Sequence, residues 1–228
     1  MAQAPKRTIS EVAHERMRTD IISGELAPGE KLKLADLQKR YDLGLSPIRE
    51  ALLQLSGEGL VNNEGQRGFR VAPLSRADLD DLMSARIAIE SMLFEDAIAH
   101  GDDNWGAAVT SAWYKLSKAP LPNSPSEHDG ADYWEAAHRE FHRALLSAAR
   151  SKWLLRINEQ LVNHSERYRR IRLVHPLSQR QLAQDVISEH EAIMKAALSG
   201  QASKAVALLK LHLMRTTEVL AERFASDH

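Results

Sequence analysis

Apolar positions in the first third of the chain recur at helical spacing and are interrupted by short breaks. Over residues 8–23 they recur every three or four positions, and Gly24 follows as a stop signal. A second helical pattern ends at Tyr41 and a third passes through Ile48, with residues 42–44 between them. A break of this length cannot hold another element, so the sequence predicts two short helices joined at a sharp angle, a helix-turn-helix.

The second of these helices has a defined beginning and is followed by a hairpin. Ser46 is predicted to cap it, and Pro47 suits its first turn, where a missing N–H costs nothing. Arg49 follows in the part of such a helix that usually meets base edges. After Gly59, two short extended segments around a polar tip at residues 64–68 predict a β-hairpin wing.

The sequence from residue 76 onward has helical periodicity and no strand pattern. Residues 1–7 are predicted to form a disordered tail, and residues 119–129, with three prolines, a loop. The predicted helices cover residues 76–99, 103–118, 130–149, 151–172, 178–198 and 201–225. The chain is therefore predicted to be mainly α, with a winged helix-turn-helix domain over residues 1–74 and an all-helical bundle over residues 75–228.

The amino-acid composition limits the classes of protein to which this chain can belong. The chain has 228 residues, a hydrophobic content of 43% and no cysteine, which suits a core but excludes disulfides and thiolate metal sites. No apolar run approaches the roughly 20 residues of a membrane span and no signal peptide opens the sequence, so we expect a cytoplasmic protein. Residues 1–74 carry 11 Lys and Arg against 10 Asp and Glu. DNA binding must therefore rest on the local placement of basic residues: Lys31, Lys33, Lys39, Arg40, Arg49, Arg67 and Arg70.

Four of the ten histidines form a pattern. His138 and His142 are four residues apart, so they share one helix face. His190 lies ten residues before Gly200, and His212 lies twelve after it. If Gly200 joins two antiparallel helices, four imidazoles from three helices can converge on a metal such as zinc, nickel, iron or copper. The alternative is four unrelated helix histidines, some buried and some exposed.

The sequence from residue 21 to residue 61 resembles the winged-helix domain of the GntR family of bacterial transcription regulators. The resemblance is strongest in the segments PIREAL, GEGLV and RGFRV, and it covers about residues 8–74. A winged helix followed by a helical bundle resembles the FadR branch of that family. The C-terminal FCD-type domain of this branch is a ligand-sensing module.

The resemblance implies a metal site in the bundle. The family pattern is D-x3-H on one helix and single histidines on the last two helices, and His142, His190 and His212 match its histidines. His138 stands where the family usually has aspartate or asparagine. This substitution removes a negative charge and a hard oxygen ligand, which favours borderline metals over manganese. We expect His138, His142, His190 and His212 to hold a divalent ion, with zinc as the first choice and nickel or iron as alternatives.

Periodicity also indicates where an effector would bind. Arg86 lies in an apolar row of its helix, and a buried guanidinium needs an acidic partner. That partner is either internal, Glu90 or Glu95, or the carboxylate of a small organic acid whose other oxygens reach the metal. Resemblance to the branch that senses glutarate-type dicarboxylates during carbon starvation suggests a dicarboxylate such as glutarate. The candidate effector-binding residues are Arg86, His164 on the predicted core face, and the neighbouring Asn163 and Arg167.

The resemblance also bears on DNA recognition. The family usually has S-R-T-P-V-R where this chain has residues 44–49, so Leu45 replaces one arginine, and Ala35 replaces another in the preceding helix. Arg49 is therefore the best candidate for a bidentate guanine contact or a phosphate contact, and Leu45 suits a thymine methyl. Palindromic operators, usual in the family, imply a homodimer. The remaining candidates for DNA contact are Ser46 and Lys33 near the helix starts and the wing tip, Gln66, Arg67 and Gly68.

These features predict a bacterial DNA-binding transcription regulator, a repressor released from double-stranded operator DNA by a small carboxylic acid bound next to a metal. We expect no membrane association and no enzymatic activity. One alternative is a metal-dependent hydrolase, although no HExxH motif, Ser-His-Asp arrangement or glycine-rich phosphate loop is visible. Glu189 and Glu191 flank His190, but such carboxylates commonly support a metal ligand. The other alternative is a regulator with a purely structural metal and no effector.

Overall fold

The computed structural model describes residues 7–120, 128–173, 179–221 and 224. The predicted tail lies outside these residues apart from Arg7, and so does most of the predicted loop over residues 119–129. The chain divides into two compact units, Met1–Ser75 and Arg76–His228. Among the described helices, none is long and apolar enough to cross a membrane.

The first unit contains the predicted helix-turn-helix. Its elements are α1 (Ile9–Ser23), β1 (Lys31–Leu32), α2 (Leu34–Tyr41), α3 (Leu45–Gly57), β2 (Val61–Asn63) and β3 (Phe69–Val71), with a 3-10 turn over Gly65–Arg67. Thr8 and Glu11 form a capping box at the start of α1, and Gly24 ends the helix in the left-handed conformation. Asp42 ends α2 with φ of 55°, which produces the sharp turn into α3.

Two details of this unit differ from the sequence prediction. Gly44 is the N-cap of α3, and no side-chain hydrogen bond caps the helix there. Ser46 lies inside the first turn and is not the cap. Pro47 is in that turn as expected. The wing is a three-stranded antiparallel sheet in the order β1-β3-β2, because Lys31 and Leu32 pair with β3. The two residues of β1 are too few to display a strand pattern in sequence.

The core of the first unit is formed by the buried faces of its three helices against the sheet. Met17 and Ile21 from α1 meet Ile48 and Leu52 from α3, and Phe69 covers the cluster from the sheet. Burial of this apolar surface fixes α3 on the unit and leaves the opposite face of the helix exposed.

The second unit is helical throughout its described residues, which confirms the predicted fold class. Its elements are α4 (Arg76–His100), α5 (Asp103–Lys118), α6 (His128–Leu146), α7 (Lys152–Leu173), α8 (Gln179–Leu198) and α9 (Ala202–Ala221). The helix predicted to extend to residue 149 ends at Leu146, and the amides of Ser147 and Ala149 close a turn there. Gly200, with φ of 68°, joins α8 to α9 as predicted. Helix α4 packs on α7 and α9, α5 packs on α6, and α8 packs on α9.

Candidate metal centre and DNA-binding surface

Four buried imidazoles from α6, α8 and α9 converge inside the second unit. One ring nitrogen of each of His138, His142, His190 and His212 lies within 4.8 Å of the others. Nε2 of His142 is 3.1 Å from Nε2 of His190. Ligand nitrogens in a tetrahedral zinc site with bonds of about 2.0–2.1 Å lie about 3.3 Å apart. The His142–His190 pair therefore already has the spacing that a tetrahedral ion requires, and the other ligand nitrogens lie within 4.8 Å.

Hydrogen bonds fix the tautomers of two of these rings. Nδ1 of His190 donates to the Val186 carbonyl at 2.6 Å, and Nδ1 of His212 donates to Oε2 of Glu189 at 2.8 Å. A neutral imidazole that donates through Nδ1 presents the lone pair of Nε2. In both His190 and His212, Nε2 is therefore the nitrogen whose lone pair is available to a metal ion. This arrangement suits metal ligands better than four histidines that are satisfied separately in a core.

Burial keeps the imidazoles in the form that binds metal. Burial lowers the pKa of His138, His142 and His190 well below the usual value, and neighbouring histidine rings lower these three pKa values further. A histidine must be neutral to coordinate a metal ion. The residues therefore fit a divalent metal, and the all-nitrogen set agrees with the borderline metals expected from the sequence.

A network of buried charges lies beside the histidines. Arg86 donates through Nε to Oε1 of Glu90 at 2.6 Å and through Nη1 to Oγ of Ser165 at 2.9 Å. Arg169 donates to both carboxylate oxygens of Glu135, at 3.1–3.3 Å, and also reaches Ser165. Burial lowers the pKa of Arg86, with Glu90 acting in the opposite direction, whereas for Arg169 the Glu135 carboxylate outweighs burial and raises the pKa. Each guanidinium is thus matched by one carboxylate.

A small cavity adjoins the cluster. Its volume of about 20 Å³ has room for one water-sized group. Trp134 forms part of the wall and stacks on His138, with ring centroids 4.8 Å apart and planes 18° from parallel. Nδ1 of His138 is buried and has no hydrogen-bond partner among the described residues. The lining residues are Trp134, Glu135, His138, Arg169, Val186, His212 and Thr216.

The structure does not place the predicted effector-binding residues around one open site. Arg86 has the internal partner Glu90, the first of the two open alternatives. His164 is only half-buried and is not a member of the histidine cluster, which corrects the predicted core face of α7. Asn163 is buried and accepts from Arg139, and Arg167 is buried with its pKa lowered by burial. The residues that sequence reasoning missed are Trp134, Glu135, Ser165 and Arg169.

The missed residues on α6 carry a signal in the sequence. Trp134 and Glu135 precede His138 by four and three residues, so they belong to the same helix face. Arg169 gives a weaker signal because the buried face of α7 passes through polar residues, Asn158 and Ser165. Apolar periodicity cannot detect such a face.

The exposed face of α3 contains three of the predicted DNA-contacting residues. Leu45, Ser46 and Arg49 are exposed, and Leu45 and Arg49 share a face because they are four residues apart. Leu53 extends this face by another turn and is 50% exposed. The face therefore presents one guanidinium between two leucines, on a helix whose other side is buried in the core.

Five basic residues of the first unit that are candidates for DNA contact fall into two groups. Arg40 is paired with Asp20 and Glu25, and Arg70 is bonded to Glu64 and to the Gly29 carbonyl. The side chains of Lys33, Arg49 and Arg67 are exposed and make no hydrogen bond or ion pair within the described part of the chain. At the wing tip, Gln66 is exposed like Arg67, and Gly68 has φ of 89°, a conformation that favours glycine.

Two family models match the chain. The model described as bacterial regulatory proteins, gntR family, matches residues 9–71, which contain α1 to α3 and the sheet. The FCD domain model matches residues 81–215, which contain all four clustered histidines.

Relatives of known class cover nearly the whole chain. BphR of Paraburkholderia xenovorans, described as an uncharacterized HTH-type transcriptional regulator, is 35% identical over 95% of this chain and 86% of its own length. The HTH-type transcriptional repressor GlaR of Escherichia coli is 35% identical over 92% of this chain and 95% of its own length. The solved structure of E. coli McbR/YncC has a TM-score of 0.78 at 17% identity, covers 96% of this chain and 100% of that one, and has the same fold.

Proposed function

The chain belongs to the GntR family of bacterial regulatory proteins and carries a C-terminal FCD domain, and from this premise we propose a repressor controlled by a small carboxylic acid. It is a DNA-binding transcription regulator and not an enzyme, which removes the hydrolase alternative. The observation that carries the proposal is the convergence of four buried imidazoles in the unit that follows the winged helix.

The proposed metal ligands are His138, His142, His190 and His212. Zinc is the first choice, because an all-imidazole set whose ligand nitrogens lie within 4.8 Å of one another suits a borderline ion, and nickel or iron are the alternatives. A divalent ion bound there supplies two positive charges that no protein carboxylate ligand neutralises. This charge favours an anion as the ligand of the neighbouring cavity.

A small organic acid fits this requirement. Its carboxylate would enter the cavity beside the metal, where Arg169 is part of the lining. Arg86 is linked to Arg169 through Ser165, whose hydroxyl accepts a hydrogen bond from each guanidinium. Asn163, His164 and Arg167, on the same helix as Arg169, remain candidates for the rest of the molecule. A dicarboxylate such as glutarate is the specific acid we would test first.

The proposed DNA contacts come from α3 and the wing. Arg49 would bind guanine, Leu45 a thymine methyl, and Ser46 and Lys33 phosphates near the helix starts. Gln66, Arg67 and Gly68 would contact the minor groove or the backbone. We expect a homodimer on a palindromic operator. Because its partner would be chromosomal DNA, we expect the protein to act in the bacterial cytoplasm.

The proposal is tested by measuring DNA binding in the presence of metal and acid. Full-length protein, either zinc-loaded or chelator-treated, is titrated against a labelled DNA fragment from upstream of its own gene, and fluorescence anisotropy is followed. Glutarate and related acids should release the zinc-loaded protein and should have little effect on chelator-treated protein. The His142→Ala variant should bind DNA without responding to acid, whereas the matched His100→Ala variant, on α4, should respond normally. An acid response that survives removal of the metal would contradict the proposal.

A purely structural metal is the second candidate role for the cluster. It is favoured by the ligand count, because four protein ligands describe a closed structural zinc site, and by the small cavity. In that case removal of zinc would lower the melting temperature of the second unit, while no acid of the panel would raise it. The thermal shift of zinc-loaded protein with each acid separates the two roles.

A further inference from the structure

Trp134 has a buried hydrogen-bond donor to which the described part of the chain offers no acceptor. Its side chain is 3% exposed, and Nε1 has no hydrogen-bond partner among the described residues. Buried donors in native proteins nearly always have a partner, because desolvation without one costs free energy. Trp105, by contrast, is also buried and donates its Nε1–H to the carbonyls of Ala144 and Leu145. The unused donor of Trp134 therefore points to a ligand.

The surroundings of Trp134 define what this ligand must be. The indole forms part of the wall of the cavity beside His138 and His212, and it has no acceptor to offer. Arg169, in the same wall, is likewise only a donor. The Glu135 carboxylate in this wall accepts from the guanidinium of Arg169 through both oxygens, which offsets its negative charge, and it makes no hydrogen bond with Trp134. The cavity thus offers donors and, with a metal on the histidines, a cation to one small group.

We infer that the indole N–H of Trp134 donates a hydrogen bond to a carboxylate oxygen of the effector, and that Trp134 is a specificity-determining residue of this site. The inference rests on the proposed function, because it requires an acid at the histidine cluster. The cavity has room for about one oxygen-sized group, so the contact is with the end of the acid that faces the histidines. Neutral or cationic molecules without an acceptor oxygen would leave the donor unpaired and are selected against.

The stacked geometry allows Trp134 to support His138 and to bind the acid at the same time. The ring covers His138 face to face, which supports that imidazole through packing. The N–H lies at the edge of the same ring, and no acceptor among the described residues binds it. Replacing Trp134 with phenylalanine retains an aromatic face over His138 and removes the donor. The contact with the acid and the support of the metal ligand can therefore be measured separately.

The test uses full-length protein loaded with cobalt(II), whose visible absorption responds to an anion that reaches the metal. Acetate and glutarate are titrated into wild type, Trp134→Phe and the control Trp113→Phe, which alters a half-buried tryptophan in α5 outside the cavity lining. We expect wild type and Trp113→Phe to respond alike. Trp134→Phe should bind cobalt normally. Its half-maximal absorption change should need an acid concentration about 10-fold higher or more, because one hydrogen-bond donor to a charged group is lost.

The outcomes separate this inference from the proposed function. If Trp134→Phe responds to the acids like wild type, the inference is overturned and the proposed function stands. If wild type itself gives no response to either acid, the proposed function fails and the inference with it. If Trp134→Phe loses cobalt, 3-benzothienylalanine at position 134 keeps the bicyclic shape without the N–H. Unchanged acid binding by that variant would overturn the donor role, and weakened binding would support it.

Discussion

Glu189 accepts the Nδ1–H of His212 at 2.8 Å, and this carboxylate also pairs with Arg215. Burial would raise the pKa of Glu189, but the hydrogen bonds from His212 and Arg215 outweigh it and lower the pKa, which keeps the group ionised. A carboxylate in this position fixes the ring orientation and makes Nε2 more basic. Glu189 is therefore a positioning residue for the proposed ligand His212.

The Glu189→Gln variant should bind zinc about 10- to 100-fold more weakly, the usual effect of removing such a partner. Competition with a chromophoric chelator measures the affinity directly. Glu191→Gln is the matched control, because Glu191 is on the same helix and pairs with the exposed Lys195. Equal zinc affinity of the Glu189 and Glu191 variants would show that the hydrogen bond has no part in metal binding.

Acidification should destabilise the metal-free second unit. His138, His142 and His190 stay neutral in the folded state because burial lowers their pKa, whereas in the unfolded chain they take up protons near the ordinary value of 6.5. Their contribution to stability is complete above that pH and is lost as the pH falls from it toward the lowered pKa values. Each histidine would contribute up to about 1.4 kcal/mol per pH unit within that window.

Urea unfolding of chelator-treated protein between about pH 8 and pH 5 measures this dependence. Replacing His142 with glutamine should make the loss of stability on acidification shallower. Replacing the exposed His100 with glutamine is the matched control outside the histidine cluster. A stability that is flat across this range would contradict the burial of neutral imidazoles.

The predicted parts of the molecule are those that local patterns encode. The turn at Asp42, the stop at Gly24 and the join at Gly200 depend on local backbone conformation, which sequence reveals through residue type and spacing. His190 and His212 lie at similar distances along the chain from Gly200, and antiparallel helices place such positions side by side. The contact between these two rings could therefore be predicted from their spacing. The local pattern was sufficient for these features.

The unpredicted parts depend on partners that are distant in sequence. Residues of β1 become a strand only because β3 supplies the hydrogen bonds. Arg169 is buried because Glu135, 34 residues earlier, neutralises it, and a sequence pattern built on apolar positions assigns such a face to solvent. The choice of Glu90 over Glu95 as partner of Arg86 likewise required the direction of the side chains on α4.

Breaking the Arg86–Glu90 pair should destabilise the second unit strongly. Both side chains are almost fully buried, so Glu90→Gln leaves a guanidinium without its counter-charge. The expected loss is about 3–5 kcal/mol, whereas Glu95→Gln, at an exposed position, should change stability by less than about 0.5 kcal/mol. Urea unfolding of both variants measures the difference. The double variant Arg86→Met, Glu90→Leu should recover most of the loss, because it removes both buried charges.

Arg49 should carry sequence-specific DNA binding. It is the exposed guanidinium of α3, and the residue one turn before it on the same face is the uncharged Leu45. If Arg49 forms a bidentate contact with guanine, Arg49→Ala should weaken operator binding by about 1–3 kcal/mol and reduce discrimination against a scrambled duplex. Arg67→Ala should instead weaken binding to both duplexes and lower the salt dependence, as expected for a phosphate contact. Arg143→Ala, which removes an exposed charge from the second unit, is the control. Anisotropy titrations at two salt concentrations distinguish these cases, and equal losses of Arg49→Ala on both duplexes would assign it to the phosphates.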